Sequence, residues 1–128
     1  MLKFDKIKII SSIDNISRIN EDKFQSIIKD GIICEQKFSI QSPYSLYVEA
    51  DYQERELVIE FTGKILKDNY SDLIHRDNIH ICLSNINDLG LCLLDIEGIL
   101  ANGEVVKADV CQDVECADCK ALTEKLRA

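Results

Sequence analysis

Three cysteines near the C-terminal end have the spacing most typical of a chemical site. Cys111, Cys116 and Cys119 follow a C-x4-C-x2-C pattern, which matches three of the four thiolate ligands of a plant-type iron–sulfur cluster. No cysteine follows Cys119, so an earlier cysteine would have to supply the fourth ligand, and the flanking residues lack the glycines that let a backbone wrap a cluster. We therefore expect no bound cofactor here.

The same cysteines have a structural interpretation that the sequence favours. Cys116 and Cys119 stand at i and i+3, which places them on the inner face of a helix predicted over Glu115 to Arg127. A redox Cys-x-x-Cys is the alternative, because a cysteine near a helix N-terminus can have a lowered pKa. Since no secretory signal is present, we expect a reducing compartment and free thiols. Cys82 and Cys92 have apolar neighbours, which predicts small buried side chains.

A second group with possible chemistry combines two imidazoles and two carboxylates. His75 and His80 lie close in sequence to Asp72 and Asp77, and such side chains can bind a divalent metal. The group straddles the predicted start of a helix, so the side chains need not converge, and we expect surface polar residues and no metal. No Ser-His-Asp or Cys-His catalytic pattern and no glycine-rich phosphate loop is present.

Composition and charge limit the classes of function. The chain has 128 residues, with 15 basic and 23 acidic side chains and a formal charge of −8. Such a charge repels phosphate backbones, so a free-standing DNA-binding protein with this charge would be unusual, whereas a domain of a larger DNA enzyme with its basic surface elsewhere is compatible with it. The longest stretch without a charged residue is the eleven residues Phe38 to Val48, too short to cross a membrane. We expect one soluble, cytoplasmic domain with no membrane partner.

Hydrophobic patterning in the first half predicts mainly strands. Leu2 to Ile10 favours an opening strand, and Asn20 can cap a helix in which Phe24, Ile27 and Ile28 repeat before Gly31. Apolar residues then alternate on both sides of the polar turn 52–55, which predicts an antiparallel hairpin with one buried face. These alternating residues are Leu46, Val48, Ala50, Leu57, Ile59 and Phe61. Gln36 to Ile40 is predicted to pair as a third strand, and Pro43 to lie in a connection.

The second half alternates between helical and extended patterns. Ile79, Cys82, Leu83 and Ile86 form a stripe at helical spacing that begins at Asp77 or Asn78 and ends at Gly90. A short turn over 96–100 leads to a strand from Glu104, with Val106, Ala108 and Val110 on one face. The predicted fold class is α+β, a mostly antiparallel sheet covered on one face by two or three helices.

Within this last strand, two carboxylates share a face with one lysine. Asp109 and Asp113 lie four positions apart along the strand, roughly 13 Å, which is too far for both to bind one ion directly. The stretch Glu104-Val-Val-Lys-Ala-Asp-Val-Cys-Gln-Asp113 resembles the Val-x-(Lys/Arg)-x-Asp-Val-x-x-Asp strand of rolling-circle replication initiators. These are phage and plasmid proteins akin to the filamentous-phage gene II product.

Two further segments extend this resemblance over roughly residues 1–115. Leu57 to Tyr70 is similar to the strand and Gly-Lys-(Phe/Leu)-…-Asn segment near the start of such proteins, and the helix that ends in Asn-Asp-Leu-Gly at Asn87 to Gly90 fits the family's order of elements. Members nick DNA with a tyrosine nucleophile and a divalent metal, and they are longer than this chain. Their tyrosine lies in a later region, and none of the four tyrosines here matches its motif: Tyr44, Tyr47, Tyr52 and Tyr70.

The resemblance implies that residues 1–128 form a single domain, either the N-terminal part of a longer replication protein or a truncated relative. Its expected role is structural or DNA-positioning, without catalysis by this chain alone. Lys64 and Lys67 are the candidate DNA contacts, with solvated turn residues as the alternative. Asp109 and Asp113 match the family strand, but no role is assigned to them.

Two functions of other classes remain open. One is a small protein–protein interaction module, encoded on a mobile element, whose sheet face or edge binds a protein partner. The other is a redox or metal-binding protein that uses Cys111, Cys116 and Cys119.

Overall fold

The computed structural model describes residues 3–110, apart from the side chains of residues 68–72, 109 and 110. The described residues do not include the predicted helix Glu115 to Arg127, nor Cys111, Asp113, Cys116 and Cys119. The strands are β1 (Phe4–Ser12), β2 (Ile16–Ser17), β3 (Gln25–Lys29), β4 (Ile32–Ile40), β5 (Leu46–Asp51), β6 (Glu56–Thr62), β7 (Leu93–Leu94) and β8 (Glu104–Val110). The helices are α1 (Ile79–Asn87) and α2 (Ile96–Asn102), and Gly63–Asp72 forms 3-10 turns.

Six strands form one antiparallel sheet, in the order β3-β4-β5-β6-β1-β8, and β2 pairs with β7 in a small ribbon. The α+β class predicted from the sequence is confirmed. The apolar residues of α1, α2 and the 3-10 segment join the same buried cluster as the sheet residues. Since a sheet needs one covered face to be stable, the helical segments and the sheet depend on each other.

The central hairpin has the predicted register. Leu46 pairs with Phe61, Val48 with Ile59 and Ala50 with Leu57, and each of these six side chains is at most 1% exposed. In the turn between the strands, the Asp51 carboxylate accepts hydrogen bonds from the backbone N–H groups of Gln53 and Glu54, both at 3.0 Å. The third strand is also confirmed, because Gln36 to Ile40 is part of β4 and pairs with β5.

The other face of the same strands is mostly polar and charged, with Ile10 opposite Val58 as an apolar pair. The Lys37 ammonium lies 3.1 Å from the Glu35 carboxylate and 3.3 Å from that of Glu49, and Lys6 lies 3.5 Å from Glu60. Cross-strand pairs of opposite charge stabilise a solvated sheet face, although each exposed pair contributes little. The sheet therefore has its apolar core on one face only.

The helix predicted after Asn20 is wrong. Residues 25–29 form strand β3, which turns through Asp30 and Gly31 into β4. Asp30 has φ 53° and Gly31 has φ 77°, and two consecutive positive φ values match a type I′ hairpin turn. The Asp-Gly pair therefore defines a hairpin, and the helical spacing of Phe24, Ile27 and Ile28 is coincidental.

The predicted faces of strand β8 also need a correction. Val105 pairs with Ile9 and Lys107 pairs with Lys8, so Val106 is an extra residue on this strand. Such a bulge shifts the alternation by one position. As a result Val105 is buried at 5% exposure, while Val106, predicted to share a face with Ala108, is 39% exposed.

The predicted amphipathic helix is confirmed as α1, with Ile79, Cys82, Leu83 and Ile86 buried. Asn78 precedes it but does not cap it through its side chain. Its amide instead accepts from the His75 N–H at 2.8 Å and donates to the Leu73 carbonyl at 2.6 Å, which holds the preceding loop. No helix in the described part of the chain has the length and apolar character needed to cross a membrane.

The Ile59→Asp substitution tests the central hairpin. Ile59 has no exposed surface, so the substitution buries an unpaired carboxylate and should lower the free energy of unfolding by several kcal/mol. The matched control is Ile81→Asp, because Ile81 is 43% exposed on α1 and its replacement should cost little. Equal melting temperatures for the two variants would contradict the assigned register.

Candidate functional site

The tip of the β3–β4 hairpin carries three exposed isoleucines. Ile32 is 68% exposed, Ile28 is 61% exposed and Ile33 is 38% exposed. Ile32 and Ile28 are the most exposed large apolar side chains in the described part of the chain. Single exposed apolar residues are ordinary on a protein surface, whereas a cluster marks a candidate interaction site.

The strand register divides these isoleucines between the two faces of the hairpin. Ile28 pairs with Ile33, and Lys29 pairs with Ile32. Paired residues share a face and successive residues alternate, so Ile28 and Ile33 lie on one face and Ile32 on the other. A segment bound along this hairpin would therefore meet apolar surface on both sides.

Strand β3 is also an edge of the six-stranded sheet. Half of the backbone N–H and C=O groups of an edge strand point away from the sheet and are free to pair with another chain. The ladder between β3 and β4 has an irregularity between Ile27 and Ile28, and Lys29 ends the strand. Bulges and edge lysines discourage uncontrolled edge pairing. They restrict the pairing of β3 with another chain but do not prevent it.

The base of the hairpin is held to the sheet by a polar network. The Tyr52 hydroxyl donates to the Gln36 amide oxygen at 2.5 Å, and the Gln36 amide nitrogen donates to the Ser26 hydroxyl at 3.3 Å. Gln36 is only 4% exposed, so these bonds form where an unpaired amide would be costly. Phe24 and Phe38 add a ring contact with centroids 5.8 Å apart. The hairpin is thus anchored at its base and exposed at its tip.

Tyr47 and Tyr52 do not have the properties of an activated nucleophile. Burial, followed by the charge of Glu49, raises the pKa of Tyr47. Burial, followed by the charge of Glu21, raises the pKa of Tyr52. A nucleophilic phenol needs a lowered pKa or an adjacent base, so both shifts oppose that role.

The two histidines lie in different surroundings. The His75 Nδ1 accepts a hydrogen bond of 3.2 Å from the backbone N–H of Asp77. His80, on α1, lines an open cleft of about 650 Å³ together with Asp14, Asp95 and Glu97. Nowhere in residues 3–110, where side chains are described, do three or more His, Cys, Asp or Glu residues form a group that could hold a metal ion.

The predicted DNA contacts lie on the 3-10 segment that follows β6. Lys64 is exposed and lines a pocket of about 260 Å³. Lys67 is also exposed, has φ 60° and does not line this pocket. Asp109 pairs with Lys6 in the β1–β8 ladder, but its side chain is outside the described set, as is the whole of Asp113.

The cysteines within residues 3–110 are buried free thiols: Cys34, Cys82 and Cys92. The prediction of small buried side chains is confirmed for Cys82 and Cys92. Burial raises the pKa of the Cys82 thiol to about 12 and that of Cys92 to about 11. Because the thiolate is the reactive form, these two side chains are packing residues and not nucleophiles.

Sequence reasoning missed the isoleucine cluster because it placed Ile27 and Ile28 in a helix. The signal that could have identified the site is the Asp30-Gly31 pair with isoleucines on both sides, which is a strong short-range hairpin pattern.

No protein-family model matches this sequence, and neither the curated proteins nor the solved structures include a significant match.

The raised thiol pKa values predict a loss of stability at alkaline pH. Thiols in the unfolded chain titrate near pH 8.5, while folded Cys82 and Cys92 stay protonated to about 12 and about 11. Their contribution is therefore fully present below the unfolded pKa and decreases as the pH rises, by about 1.4 kcal/mol per pH unit for each thiol.

Urea unfolding between about pH 9 and pH 11 measures this dependence. The free energy of unfolding of the parent chain should fall more steeply with pH than that of a Cys82→Ala, Cys92→Ala variant, which lacks both thiols. Parallel curves for the two proteins would contradict the burial of these groups as thiols.

Proposed function

We propose that this domain is a protein-interaction module that binds an extended segment of a partner protein along strand β3. The observation that carries the proposal is the exposure of Ile28, Ile32 and Ile33 on a hairpin whose outer strand is a sheet edge. The partner adds a strand to the edge, and the isoleucines anchor its alternating side chains.

Strand addition suits the chemistry of this edge. Main-chain hydrogen bonds between the edge and the added strand contribute affinity, while pockets and apolar contacts for alternate side chains provide specificity. β3 has five residues, which is enough for a short ladder. Full burial of an isoleucine contributes about 1.5–3 kcal/mol, so the three isoleucines can supply much of the apolar anchoring.

Charge favours a basic partner over a second copy of this chain. Each molecule carries a formal charge of −8, so two copies repel one another, whereas a lysine-containing segment is attracted. Acidic groups lie close to the hairpin. The Glu21 carboxylate is near enough to Tyr52 to affect its pKa, and the exposed Asp30 lies in the hairpin turn. The proposed ligand is an extended segment in which apolar and basic residues alternate.

The replication-initiator role is a separate proposal with less support. It depends on the resemblance of short sequence motifs, and Lys64 and Lys67 are the cations it would use. Against it stands the formal charge of −8, which repels phosphate backbones. A redox or metal role would depend on Cys111, Cys116 and Cys119, which lie outside the described residues.

Binding of a synthetic octapeptide of alternating valine and lysine tests the interaction proposal. We expect measurable binding by fluorescence anisotropy, with slower hydrogen exchange at the amides of residues 25–29 in the complex. The double variant Ile28→Ser, Ile32→Ser should weaken binding by at least about tenfold. Ile81→Ser is the matched control, because Ile81 is an exposed isoleucine on a helix, and it should leave the affinity unchanged.

Two further outcomes decide the mode of binding. A peptide of the same sequence with N-methyl groups on alternate residues cannot form the ladder, so equal binding of this peptide would contradict strand addition. Light scattering should show a monomer without peptide, and a dimer that the isoleucine variant abolishes would mean that a second copy occupies the edge.

A further inference from the structure

An open cleft lies beside the ribbon of β2 and β7. It has a volume of about 650 Å³, which is within the range of small-molecule sites. Side chains from the 3-10 turn Ile13–Asn15, from both strands of the ribbon and from α1 and α2 line it. None of its lining residues belongs to β3 or β4, so the cleft is separate from the edge proposed for strand addition.

Part of the cleft lining is apolar. Leu94 is buried at 3% exposure, whereas its neighbour Leu93 is 43% exposed. Ile96 and Leu100 on α2 also line the cleft, and both are partly buried against the hydrophobic core. Because these four side chains come from two adjoining elements that the core holds in place, they form a fixed apolar surface for the body of a ligand.

The charged part of the lining is acidic. Asp14, Asp95 and Glu97 are exposed carboxylates of the cleft, and none of them forms an ion pair with a described side chain. No lysine or arginine is among the described lining residues, and His80 is the one basic side chain there. The potential in the cleft therefore favours a cation over an anion.

The Asn15 amide oxygen is the observation that points to a ligand. Asn15 lines the cleft, is only 7% exposed and uses its amide nitrogen to bond the Ser11 hydroxyl at 2.5 Å. Its amide oxygen accepts no hydrogen bond within the described chain, although buried amide oxygens almost always have a donor. This oxygen is still accessible, because the Thr62 hydroxyl is the one polar side-chain atom of the described chain that is both sealed from solvent and unpaired.

Asp95 supplies a second acceptor oxygen beside the first. A β-carbon built on Gly98 would collide with Asn15 Oδ1 and would lie 2.8 Å from Asp95 Oδ2. The two oxygens therefore converge on the space that Gly98 leaves free of a side chain. The other carboxylate oxygen, Asp95 Oδ1, accepts from the Gly98 N–H at 3.1 Å and caps α2. Since this cap occupies the N-terminus of α2, that helix end is not open to an anion.

We propose that this cleft binds a small organic amine, a primary ammonium group on an apolar body. The ammonium donates to Asn15 Oδ1 and Asp95 Oδ2, and the carboxylates of Asp14 and Glu97 strengthen the attraction. The apolar body lies on the leucines and the isoleucine of the lining. In the part of the chain with described side chains, no three His, Cys, Asp or Glu residues form a group that could hold a metal ion, so the chemistry favours an ammonium over a metal.

Titration of the full chain with hexylamine, followed by NMR chemical shifts, tests this site. We expect saturable shifts at residues 14–17 and 94–98. Hexanol has the same body without the charge, and N,N,N-trimethylhexylammonium has the charge without N–H donors, so each should bind at least about tenfold more weakly. Absence of shifts at these residues with hexylamine, or equal affinity for hexylamine and its trimethyl analogue, would overturn the proposal.

A charge-removing variant locates the ammonium. Asp95→Asn replaces the carboxylate but keeps the cap, because asparagine caps helices about as well as aspartate does. It should weaken hexylamine binding by about tenfold without lowering the melting temperature. Asp88→Asn is the matched control, because Asp88 is an exposed aspartate at the end of α1 that does not line the cleft. Equal weakening by both variants would overturn the proposal, because it would reveal an effect of net charge alone.

A second variant blocks the space between the two oxygens. Gly98→Ala places a methyl group against Asn15 Oδ1 and Asp95 Oδ2, so it should abolish hexylamine binding, and retained affinity in the folded variant would contradict the proposal. The experiments on the two sites are independent. Shifts at residues 25–29 report on the edge strand, whereas shifts at residues 14–17 and 94–98 report on the cleft, so failure of either proposal leaves the other standing.

Discussion

Burial of a single face of the central strands is the constraint on which the rest of this structure depends. Val48, Ile59 and Ile9 lie side by side on β5, β6 and β1, and each is at most 4% exposed. Close packing at these positions allows only one register of strand pairing, because a slip by one residue would turn the apolar side chains of a strand to the charged face. The helical segments pack on this face and share its buried cluster.

The same constraint explains why the proposed interaction site lies at the margin of the sheet. One face of the sheet packs against the helical segments, and the opposite face carries cross-strand ion pairs such as Lys37 with Glu49. The outer strand β3, with its exposed isoleucines, lies at the edge of both. Edges and strand ends are the places where a rigid sheet presents free hydrogen-bonding groups.

The sequence predicted the core of the fold because alternation there has one cause. Buried apolar residues occupy every second position in Leu46 to Ala50 and in Leu57 to Phe61, because each strand has one buried and one solvated face. The structure confirms both strands. The prediction failed at residues 20–31, where turn chemistry at Asp30-Gly31 determines the structure and helical spacing arose by chance. It also failed at Val106, because a bulge depends on the partner strand and leaves no mark in the local pattern.

The candidate sites were harder to predict than the fold for a related reason. Asn15 and Asp95 converge beside Gly98 only through the packing of segments that are distant in sequence. The isoleucines at positions 28, 32 and 33 have the composition of core residues, and only their place beyond the covered part of the sheet makes them surface residues. Exposure of this kind is a property of the tertiary structure.

Native-state hydrogen exchange, resolved by residue, tests whether β3 is an uncovered edge of a sheet whose central strands are held by the core. We expect bonded amides of β5 and β6 to exchange only by global unfolding, and the amides of residues 25–29 that point away from β4 to exchange rapidly. Protection of every amide in residues 25–29 to the level of β5 and β6 would contradict the account, because it would show that the edge is already covered.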